Sequence, residues 1–248
     1  MSHIRIDVEQ VSFSYETGRE VLKDITFHAT ERESIGLIGA NGVGKSTLLK
    51  MLVGLNLQFT GSIRIEDVPV EQRTLSQIRS RIGYVFQDSD SQLFMNTVYE
   101  DIAFAPRNYG LPEQEVAARV DRALEQTGIG YLKDRQIYKL SGGEKKLVSI
   151  ATILSMTPDM ILMDEPSIAL DPKNRRNLIR ILNTFDHLKI IASHDLDMIL
   201  DTCERTILMA DGKIVADGKT EEILKNRELL EKCNLELPLC LQRDRIVI

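Results

Sequence analysis

The segment Gly39-Ala40-Asn41-Gly42-Val43-Gly44-Lys45-Ser46-Thr47 constrains this chain more than any other, because it fits the spacing G-x-x-x-x-G-K-[ST]. Glycines at those intervals free the backbone to curl, so that successive N–H groups converge on an anion. Before it, Ser34-Ile35-Gly36-Leu37-Ile38 is a short apolar run that reads as a buried strand; after it, Thr47-Leu48-Leu49-Lys50-Met51-Leu52 opens a helix. The unpaired donors of a helix N-terminus favour anions at that point. Strand, loop and helix in register predict a site for ATP with Mg2+. Gly39, Asn41, Gly42, Gly44 and Thr47 form the cradle, Lys45 reaches the β- and γ-phosphates, and the Ser46 hydroxyl serves the metal.

A second apolar run, Met160-Ile161-Leu162-Met163-Asp164-Glu165, ends in two carboxylates, as expected where a buried parallel strand delivers side chains to its carboxyl end. Successive strand side chains point opposite ways, so the two acids take different roles. Asp164 is expected to orient the metal through water, and Glu165 to polarise the attacking water as general base. Ser193-His194-Asp195 follows the short strand Lys189-Ile190-Ile191-Ala192 and brings the His194 imidazole toward the γ-phosphate. Gln87 closes the strand Ile82-Gly83-Tyr84-Val85-Phe86 and offers an amide oxygen for metal or water. Ser141-Gly142-Gly143, ahead of a helix with Leu147, Ile150, Ala151 and Leu154 at helical spacing, provides a second set of free N–H donors and a second anion site.

Taken in this order, the residues resemble the ATP-binding cassette family over about residues 4–218. The resemblance makes residues 39–47 the Walker A loop, Gln87 the Q-loop, Leu140-Ser141-Gly142-Gly143-Glu144 the signature sequence, residues 160–165 the Walker B strand, Ala169-Leu170-Asp171 the D-loop and His194 the switch histidine. It places Tyr15 where the family stacks an aromatic ring on adenine, a contact the ring face supports. The implied fold is α/β: a P-loop NTPase (RecA-like) core with an N-terminal antiparallel β subdomain and an inserted α-helical subdomain. The expected boundaries are 1–87 and 144–219 for the core, about 88–143 for the helical insertion and 220–248 for a C-terminal helical tail. The resemblance further implies two cassettes joined head to tail, each Walker A loop facing the partner's Ser141, Gly142 and Gly143. The partner is a second ATPase subunit, either an identical copy or a close paralogue.

Residues 85–94, with Val85-Phe86-Gln87-Asp88-Ser89-Asp90-Ser91-Gln92-Leu93-Phe94, continue through Thr97-Val98-Tyr99-Glu100-Asp101 to Pro106 in a way similar to the ATPases of energy-coupling-factor transporters, most of all the cobalt/nickel-type branch. Leu235-Glu236-Leu237-Pro238-Leu239-Cys240-Leu241 is similar to the same branch. This implies a peripheral protein on the cytoplasmic face of the membrane, working with a transmembrane coupling protein and a membrane substrate-binding subunit. The cargo leans to cobalt or nickel, with a vitamin as the alternative. In residues 88–101, Asp88, Asp90, Glu100 and Asp101 are candidates for arginine forks from the membrane partner and Leu93 and Phe94 for apolar anchors; a core role for the two apolar residues and a solvated role for the acids weigh equally.

Composition narrows the rest. With 31 Lys and Arg against 37 Asp and Glu the net charge is −6, and the basic residues are spread rather than clustered, so an electrostatic grip on nucleic acid is not suggested. No apolar run approaches the ~20 residues of a membrane span, and Met1-Ser2-His3-Ile4-Arg5-Ile6-Asp7 alternates like a strand rather than a signal peptide. Cys203, Cys233 and Cys240 lack metal spacing and read as reduced thiols. The stretch from Glu113 to Gly128 carries Val116, Val120, Ala123, Leu124 and Thr127 at helical spacing, Pro106, Gly110 and Pro112 punctuate the insertion, and Thr220 reads as a helix cap. Soluble cassette ATPases that act on DNA carry a long coiled-coil insertion and those that act on the ribosome usually fuse two cassettes, features not found in this sequence, and a small-molecule kinase leaves residues 140–144 and His194 unexplained.

Overall fold

The computed structural model describes residues 4–15 and 18–242; residues 1–3 of the expected first strand and 243–248 of the expected tail lie outside them. Strand β1 (Arg5–Ser14) largely alternates buried and open residues and pairs antiparallel with β2 (Glu20–Thr30). β3 (Ser34–Ile38) is buried at every residue and runs through the glycine loop into α1 (Lys45–Leu52). β4 (Thr60–Ile65) and β5 (Val68–Pro69) complete an antiparallel sheet of order β2-β1-β4-β5. After α2 (Leu75–Arg79) and β6 (Ile82–Val85) come the inserted helices α3 (Val98–Asn108) and α4 (Glu113–Thr127), then α5 (Gly142–Leu154). The chain continues with β7 (Met160–Asp164), α6 (Pro172–Thr184), β8 (Leu188–Ala192), α7 (Leu196–Thr202), the hairpin β9 (Arg205–Ala210) and β10 (Lys213–Lys219), and closes with α8 (Thr220–Lys225) and α9 (Arg227–Lys232).

The second sheet has the order β10-β9-β3-β8-β7-β6 and is parallel except for β10. Its strands β3, β6, β7 and β8 are buried throughout, the reason they read in sequence as unbroken apolar runs rather than alternating ones. One apolar core joins the antiparallel sheet to α1 and one face of this sheet; a second packs the opposite face against α6, α7, α8 and α9. The expected α/β architecture with its antiparallel sheet and helical insertion is therefore the one observed.

The insertion has a third core, in which Val98, Ile102 and Ala103 of α3 meet Val116, Val120, Ala123 and Leu124 of α4. All five residues assigned to the α4 face, Thr127 included, are buried. Leu147, Val148 and Ala151 of α5 belong to this core, whereas Ile150 and Ile153 of the same helix belong to the second. The packing does not change at residue 143: α5 is shared, one face on the insertion and one on the parallel sheet.

Two readings from sequence are corrected. Pro106 does not punctuate the insertion but lies inside α3. Proline cannot donate to the carbonyl four residues back; that carbonyl, Ile102 O, instead accepts from the Ser155 hydroxyl at 2.9 Å. Thr220 is not the cap of α8. Lys219 is, and the buried Thr220 hydroxyl pairs with that of Thr206 at 2.9 Å. The tail packs on its own domain, as its apolar stripe allows: Leu230 is fully buried in the second core and Leu229 packs against it.

Candidate functional site

In a parallel sheet the carboxyl ends of the strands share one edge, and in this one β3, β8, β7 and β6 are adjacent. The glycine loop, His194, the Asp164–Glu165 pair and Gln87 follow those four ends in turn. A cleft of ≈ 970 Å³ opens there, lined by Tyr15, residues 40–47, Gln87, Glu165 and His194.

Two glycines have demanding places in the loop. Gly44 caps α1 at φ 108°, and a Cβ there would lie 2.5 Å from the Leu22 side chain. Gly39, at φ 150°, lies against Met209 O, which a Cβ would approach to 2.4 Å. Gly39 does not line the cleft; it forms the turn beneath it, and its carbonyl accepts from Lys45 Nζ at 2.7 Å. Ala40 O accepts from the same amine at 3.2 Å. Lys45 is buried, and desolvation lowers its pKa against the opposing fields of Glu165 and Asp164. Asn41 and Gly42 are exposed on the lip of the loop. Tyr15 stands at the cleft with its ring edge-on to Phe13 (centroids 4.8 Å apart, 85° between planes) and its hydroxyl 3.2 Å from Thr47 Oγ1.

The two carboxylates do point to different partners. Asp164 Oδ1 accepts from the Ser46 hydroxyl at 2.8 Å. Burial raises its pKa, the Ser46 hydrogen bond opposes that rise, and neighbouring Glu165 adds to it. A buried acid beside a hydroxyl and a second acid is an oxygen-rich place, with the fields of Lys45 and Lys50 only partly offsetting the burial of its charge. Ser46 and Asp164, with the Gln87 amide at the same cleft, fit a hard divalent cation such as Mg2+ that also takes phosphate and water oxygens.

Glu165 is buried at a left-handed φ of 48°, a strained backbone for a non-glycine residue that aims its side chain across to the end of β8. Its Oε2 accepts from His194 N (3.2 Å), the Ser193 hydroxyl (3.3 Å) and His194 Nδ1 (2.7 Å). With Glu165 ionised, Nδ1 carries the proton, so Nε2 of a neutral ring is an acceptor. Oε1 has no hydrogen-bond partner among the described residues. His194 is itself held from behind. Asp195 caps α7 through Met198 N at 3.0 Å and takes both arms of Arg175 at 2.6 and 2.7 Å.

Ser141, Gly142 and Gly143 do not line this cleft. They open α5, where Ser141 Oγ accepts from Glu144 N and the Glu144 carboxylate accepts from Ser141 N at 2.8 Å, a capping box. Ser141 and Gly142 are exposed, and the Ser141 hydroxyl keeps its own proton to donate.

Of the candidates for the membrane partner, several are committed internally. Asp101 is buried and accepts from Phe94 N (3.1 Å) and Met95 N (2.9 Å); Glu100 closes a capping box with Thr97; Asp90 pairs with Lys145. Leu93 is core, whereas Phe94 is 63% exposed and rests edge-on against Phe104. Residues the sequence reading missed also reach the cleft: Arg19, Lys23, Asp211, Gly212 and Asn234. Asp211-Gly212 carried a signal, an Asp-Gly hairpin turn between two apolar runs; Asn234 carried none, because only the folding back of the tail brings it there.

The family model described as ABC transporter matches residues 22–168. The chain is 50% identical over 242 residues to a putative ABC transporter ATP-binding protein of Geobacter sulfurreducens, covering 98% of this chain and 97% of that one. It is 36% identical over 240 residues to the energy-coupling factor transporter ATP-binding protein EcfA of Carboxydothermus hydrogenoformans, covering 96% and 88%. Among solved structures, cbiO1 of Clostridium perfringens, described as part of the ABC transporter complex cbiONQ, matches with a TM-score of 0.82 at 36% identity over 97% and 98% of the two chains.

The Glu165 geometry makes a direct prediction. Glu165→Gln keeps an acceptor for His194 but loses the carboxylate oxygen expected to take a proton from water. ATP binding is expected to survive while steady-state turnover falls on the order of 10²-fold or more; near-normal turnover would remove Glu165 from the role of base.

Proposed function

Because this chain belongs to the ABC transporter family of ATPases, we propose that it powers an energy-coupling-factor importer by clamping ATP between two cassettes, this chain and either an identical copy or a close paralogue. One observation carries the head-to-tail reading: Lys45, Gln87, Glu165 and His194 share one cleft, while the Ser141 helix cap, the other anion-binding group in the chain, is exposed outside it. A second cassette placing its own cap over the cleft supplies what the first lacks.

The residues then divide the work. Lys45 exchanges the carbonyls of Gly39 and Ala40 for β- and γ-phosphate oxygens, and the amides of the loop and of the α1 N-terminus close on the same anion. Tyr15 offers its ring to adenine. When bound, Mg2+, held by Ser46, Gln87 and Asp164, supplies positive charge to the phosphate oxygens. Glu165, fixed through Oε2, turns Oε1 toward the attacking water and takes its proton. His194 orients that carboxylate through Nδ1, and its ring stands on the γ-phosphate side of the cleft. The partner's Ser141, Gly142 and Gly143 donate from the opposite side, so charge developing on the phosphoryl group is met by fixed donors on both faces.

Among the described residues no helix is long and apolar enough to cross a membrane. In this reading the chain works at the cytoplasmic face of the membrane with a coupling protein and a substrate-binding subunit. The energy-coupling-factor assignment draws support from the similarity to EcfA and cbiO1. Cobalt or nickel is the proposed cargo, resting on the resemblance in residues 85–106 and 235–241. Uptake of labelled Co2+ or Ni2+ into vesicles bearing the assembled complex is the expected result; uptake of a labelled vitamin with neither metal would reassign the cargo.

Mixing two inactive variants tests the clamp. A pair of Lys45→Ala and Ser141→Arg chains contains one composite site with both halves intact, so ATPase activity absent from either variant alone is expected to return on mixing. No recovery at any ratio would count against the head-to-tail arrangement.

A further inference from the structure

Lys146 is on α5, one turn beyond the Ser141 cap, and is 2% exposed. Its ammonium forms no ion pair among the described residues; it donates instead to two consecutive main-chain carbonyls at the end of β6, Phe86 O at 2.9 Å and Gln87 O at 2.7 Å. Gln92 reinforces the seam from the other side, accepting from Phe86 N at 3.2 Å and donating to Ser149 O at 2.7 Å and Thr152 Oγ1 at 2.9 Å. Residues 86–92 are thus stitched to α5 by two side chains, and Lys146 is the one that grips Gln87 itself.

Burying an ammonium against neutral carbonyls is an expensive way to hold a helix to a strand, and a well-packed apolar residue serves folding better. Desolvation lowers the Lys146 pKa, against the pull of Asp164, Asp88 and Glu165. Those acids tie the amine to the field of the nucleotide cleft as well as to the Gln87 backbone. Lys146 also borders the smaller cleft of ≈ 490 Å³ that contains Ser46, Gln87 and Asp164.

We propose that Lys146 is a positioning residue that sets the backbone of Gln87, and through it the Gln87 amide, relative to the metal and attacking water of the chain's own P-loop. The proposal rests on the role assigned to Gln87 above. Lys146 acts through the Gln87 main chain, in the chain that contributes Lys45 and not in the partner that contributes the Ser141 cap. Removing the ammonium leaves ATP binding, which depends on the loop and Lys45, and slows the step that depends on Gln87.

Steady-state ATPase measurements read this as a split. Lys146→Met is expected to lower kcat about tenfold or more with KM for ATP within about twofold, and Lys146→Arg, which retains donors for both carbonyls, to recover most of that loss. A kcat within about twofold of the unsubstituted protein, or an equal loss in both variants, would overturn the proposal. Placement in mixed dimers separates positioning from general damage. In the Lys45→Ala plus Ser141→Arg pair, the intact composite site uses the P-loop and Gln87 of the Ser141→Arg chain. Adding Lys146→Met to that chain is expected to reproduce the full loss, and adding it to the Lys45→Ala chain to leave turnover within about twofold. Equal loss from both placements, the signature of a misfolded α5, or a larger loss in the Lys45→Ala chain, would contradict it. The pair without a change at residue 146 reports on the head-to-tail reading alone, so the two ideas fail separately.

Discussion

Side-by-side pairing of β3, β8, β7 and β6 is the constraint on which the rest depends. Each strand is buried on both faces, so its polar groups emerge only at the carboxyl edge, where α1 also presents unpaired amides. Four segments far apart in sequence thereby contribute a lysine loop, a histidine, a pair of acids and a glutamine to one edge of the sheet. The acids are kept distinct by backbone geometry. Asp164, the last strand residue, turns to Ser46, and Glu165, in a left-handed conformation, turns to His194.

Charge explains why this edge is poised rather than closed. Lys45 is folded onto the carbonyls of its own loop, with burial working against its positive charge, while burial works against the negative charge of Asp164. Neither group has an ideal partner within the chain. An anion that carries its own cation relieves both at once, which is the electrostatic form of the preference for a metal-bound triphosphate.

Much of this was legible in sequence. The glycine loop was readable because glycine spacing, an apolar strand and a helix coincided; the α4 face was readable because its apolar residues repeat at helical spacing. Where a tertiary contact replaced a local rule, the sequence misled. Pro106 reads as a break only until the Ser155 hydroxyl is seen to serve Ile102 O. Thr220 reads as a cap until its hydroxyl is found paired with Thr206. Asp101 reads as a surface acid, yet it satisfies two amides of the turn before α3. The contact of Lys146 with the end of β6 spans about sixty residues of chain, so the sequence does not show which carbonyls its ammonium reaches.

The central claim is that ATP is enclosed by two polypeptides, with one giving the lysine loop and the other the serine-glycine cap. A cryo-EM or crystal structure of the hydrolysis-deficient protein with ATP and Mg2+ tests it most directly. The account predicts two chains with each triphosphate between Lys45 of one and Ser141 of the other. A single chain that closes around ATP, its own Ser141 against the γ-phosphate, would contradict it.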